Sequence, residues 1–99
     1  YLYILSRREE KDILKIGMTT RNVIKRCNEI NSSTGIIYPF SPRGVYRVKD
    51  AKRAEKIVHK LLDNYRIRKD REFFELPYKE ACKKIEKCLV DNDLLYYKY

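Results

Sequence analysis

A chain of 99 residues has room for one compact domain, and a hydrophobic content of 43% supplies only a small core. Its 23 basic side chains against 14 acidic ones give a net charge of +9, which points to a polyanionic partner. No apolar run approaches the length of a membrane span and no signal peptide is visible, so the expected polyanion is nucleic acid rather than an anionic bilayer.

Residues 1–6 are dense in aromatic and β-favouring side chains, and residues 13–17 set apolar side chains around Lys15. The polar residues 7–11 between them read as a hairpin loop joining two antiparallel strands. Thr19 or Thr20 is placed to cap a helix whose apolar positions Val23, Ile24, Cys27 and Ile30 recur at helical spacing, ending near Asn31. Ser32, Ser33, Thr34, Gly35 and the prolines Pro39 and Pro42 mark a connecting loop, after which residues 44–48 read as a third strand. Asp50 caps a second helix with the stripe Ala51, Ala54, Val58, Leu61, Leu62 and Tyr65, followed by a basic segment over residues 66–71. Phe73 and Phe74 form an extended segment that supplies buried surface, and Pro77 suits the first turn of a third helix facing inward with Tyr78, Ala81, Cys82, Ile85, Cys88 and Leu89. The order predicts an α+β domain with a small, three-stranded, mainly antiparallel sheet flanked by about three helices.

Cys27, Cys82 and Cys88 are odd in number and contain no CxxC pair, which argues against a disulfide framework and a structural zinc site. A reducing intracellular compartment, cytoplasm or nucleus, is the expectation. The chain opens at Tyr1 without an initiator methionine and directly into a strand. It therefore reads as a single domain over residues 1–99 excised from something longer, with further domains among its expected partners.

The tyrosine strand Tyr1-Leu2-Tyr3-Ile4-Leu5, followed by Lys15-Ile16-Gly17 and then by Arg26 on a helix, resembles the GIY-YIG nuclease superfamily. Within it the chain is most similar to the T5orf172 branch, where the second motif reads Lys-Ile-Gly. The resemblance spans roughly residues 1–76 and implies the same fold, hydrolysis of DNA phosphodiester bonds, and one divalent metal, Mg²⁺ or Mn²⁺. Gly35-Ile36-Ile37-Tyr38 spells a similar string, but its place in the Ser/Pro-marked loop is wrong for the catalytic hairpin.

Carried over position by position, the resemblance assigns the first-motif tyrosine to Tyr3, twelve residues before Lys15, with Tyr1 as the rival on the same strand face. Lys15 stands where many relatives place a second tyrosine, and two readings of the general base stay open. Either Tyr3 is the base, made more acidic by Lys15 and a nearby metal, or Lys15 itself orients water and phosphate. Gly17 is the motif glycine, expected to let the strand turn toward the helix. Arg26 matches the first-helix arginine, with Arg21 and Lys25 as alternatives and additional DNA contacts. Glu55 corresponds to the metal-holding glutamate. His59, one turn on and the only histidine, is placed to hold or relay a proton near the phosphate. Glu72, in Arg71-Glu72-Phe73-Phe74, is a second metal-ligand candidate or a salt-bridge partner for Arg71. Arg66, Arg68, Lys69 and Arg71 supply further positive charge for DNA.

The leading expectation is a metal-dependent DNA endonuclease, and the alternative is a nucleic-acid-binding module with the same fold and little or no catalysis. The carboxylates favour the enzyme, because a pure phosphate binder gains nothing from Glu55 and Glu72. Tyr96, Tyr97 and Tyr99 lie outside the motifs and suggest a homodimer contact or a junction to another domain.

Overall fold

The computed structural model describes residues 1–32, 39–67 and 72–99. β1 (Leu2–Arg7) is its middle strand, buried at five of six positions. On one side it pairs antiparallel with β2 (Glu10–Met18) and on the other with β3 (Phe40–Val48). β4 (Phe73–Glu75) extends the sheet beyond β2 and β5 (Leu95–Lys98) extends it beyond β3, giving five strands in the order β4-β2-β1-β3-β5.

The side-chain alternation of a strand sorts the core into two halves. Leu2 and Ile4 join Leu14, Ile16, Tyr46 and Val48 on one face, where α2 (Ala51–Leu61) and α3 (Tyr78–Asp91) cover them with Ala54, Val58, Ala81, Ile85 and Leu89. Tyr3 and Leu5 point to the other face, into a smaller cluster with Val23, Cys27 and Phe40 beneath α1 (Val23–Ser32). Asn31 fixes the end of α1 to the start of β3: its side chain donates to the Phe40 carbonyl and accepts from the Phe40 N–H, both at 2.8 Å. A 3₁₀ turn (Asp63–Tyr65) follows α2. No helix among the described residues is long and apolar enough to cross a membrane.

The α+β class and the three helices agree with the sequence, but the sheet has five strands rather than three. The Phe73 and Phe74 segment is short, and becomes a strand because β2 offers it a free edge, with Leu14 opposite Phe74. β5 forms at the opposite edge, where Tyr46 faces Lys98 and Arg47 faces Tyr97. Neither pairing leaves a periodic signal in so few residues. β3 also begins earlier than the prolines suggest: Pro42 pairs with Leu5 beside a register shift, an irregularity where a residue without an N–H is tolerated.

Cap positions differ as well. Asn22, not Thr19 or Thr20, caps α1, its Oδ1 accepting from the Lys25 N–H at 3.0 Å, while Thr19 is buried and accepts from the Arg21 N–H. Pro77 occupies the cap of α3 rather than its first turn. Asp50 caps α2 as expected, accepting from the Arg53 N–H at 3.1 Å. Ile24 and Leu61, assigned to apolar stripes, are exposed.

Phe74 is wholly buried at the junction of β4, β2 and α2, with the His59 ring 5.2 Å away and Arg66 over its face. Phe74→Ala should lower the unfolding free energy by about 3 to 5 kcal/mol, read as a reduced urea midpoint at unchanged slope.

Candidate active site

The site is assembled around a cross-strand pair. β1 and β2 are in register so that Tyr3 lies directly opposite Gly17, and both are buried. A methyl group built on Gly17 would come within 2.5 Å of the Tyr3 hydroxyl and 2.8 Å of Glu72 Oε2. The phenol and the carboxylate thus flank the space left by a missing side chain. Gly17 stays inside β2, which runs on to Met18, so its use is room for Tyr3 rather than the turn expected of it.

The backbone of the neighbouring Ile16 anchors two other elements at the same place. Its N–H donates to the Glu72 carbonyl at 2.9 Å, holding the entry to β4 against β2. Its carbonyl accepts from His59 Nε2 at 2.7 Å, which assigns the ring proton to that nitrogen and ties α2 to the strand. Glu55, one helical turn before His59, lies near the Met18 N–H and the Glu72 carboxylate, both of which act on its protonation. From α1 comes Arg26, whose guanidinium lies near enough to the Tyr3 oxygen to favour its phenolate and meets Glu29 Oε1 at 3.5 Å. Lys15 is two residues from Gly17 on the same sheet face, with its ammonium 3.2 Å from Glu72 Oε2 and 5.0 Å from the centre of the Phe73 ring.

Tyr3, Lys15, Gly17, Arg26, Glu55, His59 and Glu72 therefore meet in one cleft. The remaining basic candidates lie elsewhere or are engaged with the fold. Arg21 is exposed and donates to both Glu29 oxygens, at 3.0 and 3.2 Å, and Lys25 is exposed on α1. Arg66 pairs with Asp63 at 3.2 Å and donates to the His59 carbonyl at 3.3 Å. Arg68, Lys69 and Arg71 lie outside the described residues, as does the string at 35–38. Glu29, which braces both Arg21 and Arg26, was not singled out from sequence, although its spacing of three from Arg26 on a helix is a usable signal.

The electrostatics run against one expectation. Burial, then the negative charge of Glu72, raise the Tyr3 hydroxyl above the ordinary tyrosine range, with Glu55 adding to them; the bond from Arg26 opposes these effects. Lys15 pairs with Glu72, the carboxylate whose charge raises Tyr3. Glu55 is likewise raised, first by burial and then by Glu72, against the opposing influence of His59 and the Met18 N–H. Two carboxylates and two cations thus meet around Tyr3, and the carboxylates act on the phenol in the opposite sense to Arg26.

The T5orf172 domain model matches residues 1–89 of the chain. The chain belongs to the T5orf172 family. Domains of this family are associated with the GIY-YIG-like nuclease fold, which places the protein among nuclease-related modules. No curated protein and no solved structure matches the chain. In this T5orf172 domain Glu55 and Glu72 are the two carboxylates that come near one another beside Tyr3. Among the described residues no group of three or more His, Cys, Asp or Glu is placed to hold a metal ion, so any hard cation here would rest on these two carboxylates and water.

Two measurements probe this geometry. Gly17→Ala should cost about 1 to 3 kcal/mol, because the rigid Tyr3 ring must give way to the new methyl, and it should separate the phenol from Arg26. Ultraviolet titration should then show Tyr3 deprotonating at a pH different from its native one. For Glu55 the folded-state pKa lies above the unfolded one, so protonated Glu55 favours the fold at low pH, and that contribution is lost as pH rises through the folded value. Glu55→Gln should therefore raise the melting temperature at pH 7, and the gain should vanish as pH falls below the ordinary carboxylate range.

Proposed function

We propose that this T5orf172 domain is a metal-dependent endonuclease that hydrolyses phosphodiester bonds in DNA. The observation that carries the reading is that a phenol and a carboxylate flank one glycine, with a guanidinium and a second carboxylate close enough to act on that phenol. A core does not need such a set, since ionisable groups crowded beside a buried phenol cost stability, and such crowding is a mark of functional sites.

Each residue has a task that its position supports. A divalent cation held by Glu55 and Glu72 would supply positive charge to the phosphoryl and leaving oxygens. Arg26, already aimed at the Tyr3 oxygen, is placed to reach a phosphate oxygen beside it. Tyr3 is the better base than Lys15, because the Lys15 ammonium is held by Glu72 and carries no proton-accepting lone pair. At rest Tyr3 is protonated, held so by burial and by the two carboxylates. Neutralising those carboxylates removes two of the influences that favour the phenol and leaves Arg26 favouring the phenolate, which can then take a proton from the attacking water. Lys15 positions Glu72, and His59 positions Glu55 and α2 through its bond to β2.

A second reading, a nucleic-acid-binding module without useful catalysis, is favoured by the raised Tyr3 hydroxyl and by Lys15 in the second motif. Nicking of supercoiled DNA in Mg²⁺ or Mn²⁺ separates the two. The unaltered chain should convert supercoiled to open-circular DNA, and Arg26→Ala or Glu55→Ala should slow this by about 10² to 10³-fold. Tyr3→Phe should cost about 10² to 10⁴-fold. Binding without any nicking would select the module; nicking undiminished in all three variants would remove the site proposed here.

A further inference from the structure

The tyrosines at the end of the chain are used neither by the core nor by the cleft. Tyr96, Tyr97 and Tyr99 are 64%, 60% and 62% exposed, on an edge strand outside the residues 1–89 that the family model matches. Simple alternation would set Tyr96 and Tyr97 on opposite faces. The register breaks it: Arg47 faces Tyr97, but Val48 faces Leu95, so Tyr96 is an extra residue in a bulge. Leu95 thereby keeps its place against the core. Tyr96 stands instead with the cations of β3, its ring centre 5.7 Å from the Arg47 guanidinium carbon and 5.5 Å from Lys49 Nζ.

The result is an open groove of about 690 Å³ lined by Arg47, Tyr96, Tyr97 and Tyr99. Tyr99 is held in it by an N–H bond to the Val45 carbonyl at 2.9 Å, by Tyr97 edge-on at 5.0 Å and by the Tyr1 ring at 6.1 Å. Tyr3 pairs with Val45, so Arg47, two residues on, shares its sheet face, and Tyr97 opposite Arg47 shares it too. The groove and the candidate active site therefore open on the same face, about 10 Å apart across two strand spacings.

We propose that this groove is a stacking platform for unpaired nucleotides. The tyrosine rings offer faces to bases, and Arg47, which has no carboxylate partner among the described residues, offers its charge to a backbone phosphate. Lys49 adds to the field, although Asp93 shares its charge at 2.9 Å. No acidic side chain among the described residues lines the groove, and the chain's charge of +9 disfavours a second copy as the occupant. A duplex keeps its base faces stacked inside the helix, so the fitting ligand is a single strand or a frayed end. The inference deepens the endonuclease reading by giving the substrate an unpaired stretch beside the phosphate in the cleft, but binding to the platform does not require cleavage.

The test is fluorescence anisotropy of the 99-residue chain with a labelled oligothymidylate and with a duplex of equal length, in EDTA so that nothing is cut. Tyr97→Ala with Tyr99→Ala should weaken single-strand binding by about tenfold or more and leave duplex binding within about twofold, while the two Phe replacements should behave as the native chain. The chain has no tryptophan, so its tyrosine emission reports stacking directly and should be quenched by the single strand less in the Ala variant. Arg47→Gln removes no buried surface and should flatten the dependence of log affinity on log salt by about 0.7 for a single strand. Equal losses on both ligands, unchanged affinity and salt slope, or a native dimer that the Ala variant dissolves would each overturn the platform. Absence of nicking would overturn the endonuclease alone and leave these binding results standing.

Discussion

The pairing of Tyr3 with Gly17 is the constraint on which the rest of the cleft depends. A tyrosine on the middle strand of a small sheet would ordinarily be filled in by its cross-strand neighbour, since directly opposed side chains lie close together. With no Cβ at residue 17, the Tyr3 hydroxyl and the Glu72 carboxylate instead approach the β2 backbone from the same side. That vacancy lets α1 lay Arg26 against the phenol and α2 bring Glu55 beside Glu72. The glycine weakens β2 as a strand, and this loss is offset by Ile16, whose two backbone groups hold β4 and α2 in place.

Charge makes the cleft unlike the rest of the interior. Glu55 and Glu72 lie near enough for each to act on the other, and both act to keep Tyr3 protonated. Lys15 pairs with Glu72, and Arg26 divides itself between Tyr3 and Glu29, so Glu55 is left without a paired cation among the described residues. A structural network would gain from closer pairing, because partly compensated charge away from water is costly. On the endonuclease reading, an incoming cation would relieve the mutual influence of Glu55 and Glu72.

The parts of the fold that were legible in the sequence are those with a period. Helical stripes such as Ala54, Val58 and Leu62, or Ala81, Ile85 and Leu89, located α2 and α3, and the dense apolar runs located β1 and β2. β4 and β5 are short edge strands whose existence depends on partners far away in sequence, so no local pattern announced them. The candidate site residues came from motif order, not from physics, and what the fold adds is that Tyr3, Lys15, Arg26, Glu55 and Glu72 lie near one another. Nothing in the spacing of Gly17 says that a phenol fills its place, and nothing near Lys15 says that its charge goes to Glu72, a residue brought alongside only by the β2–β4 pairing. The bulge at Tyr96 was equally hidden, because a register shift is a property of two strands and not of one.

A single sheet face carries both the cleft and the tyrosine groove, and this follows from register rather than coincidence. Tyr1, Tyr3 and Leu5 share a face of β1, so their β3 partners do too; Val45 and Arg47 carry it outward, and Tyr97 receives it on β5. The opposite face is committed to α2 and α3, which bury Leu2, Ile4, Tyr46 and Val48. α1 covers only part of the first face, through Val23 and Cys27, and leaves its far side toward β5 open. On the other side of the sheet a polyanion would meet helices. The small size of the domain thus decides the matter: three helices cannot cover both faces of five strands, and the part of the first face that α1 leaves open is where Arg47 and the terminal tyrosines stand, while Tyr3 lies buried at the edge of the covered part.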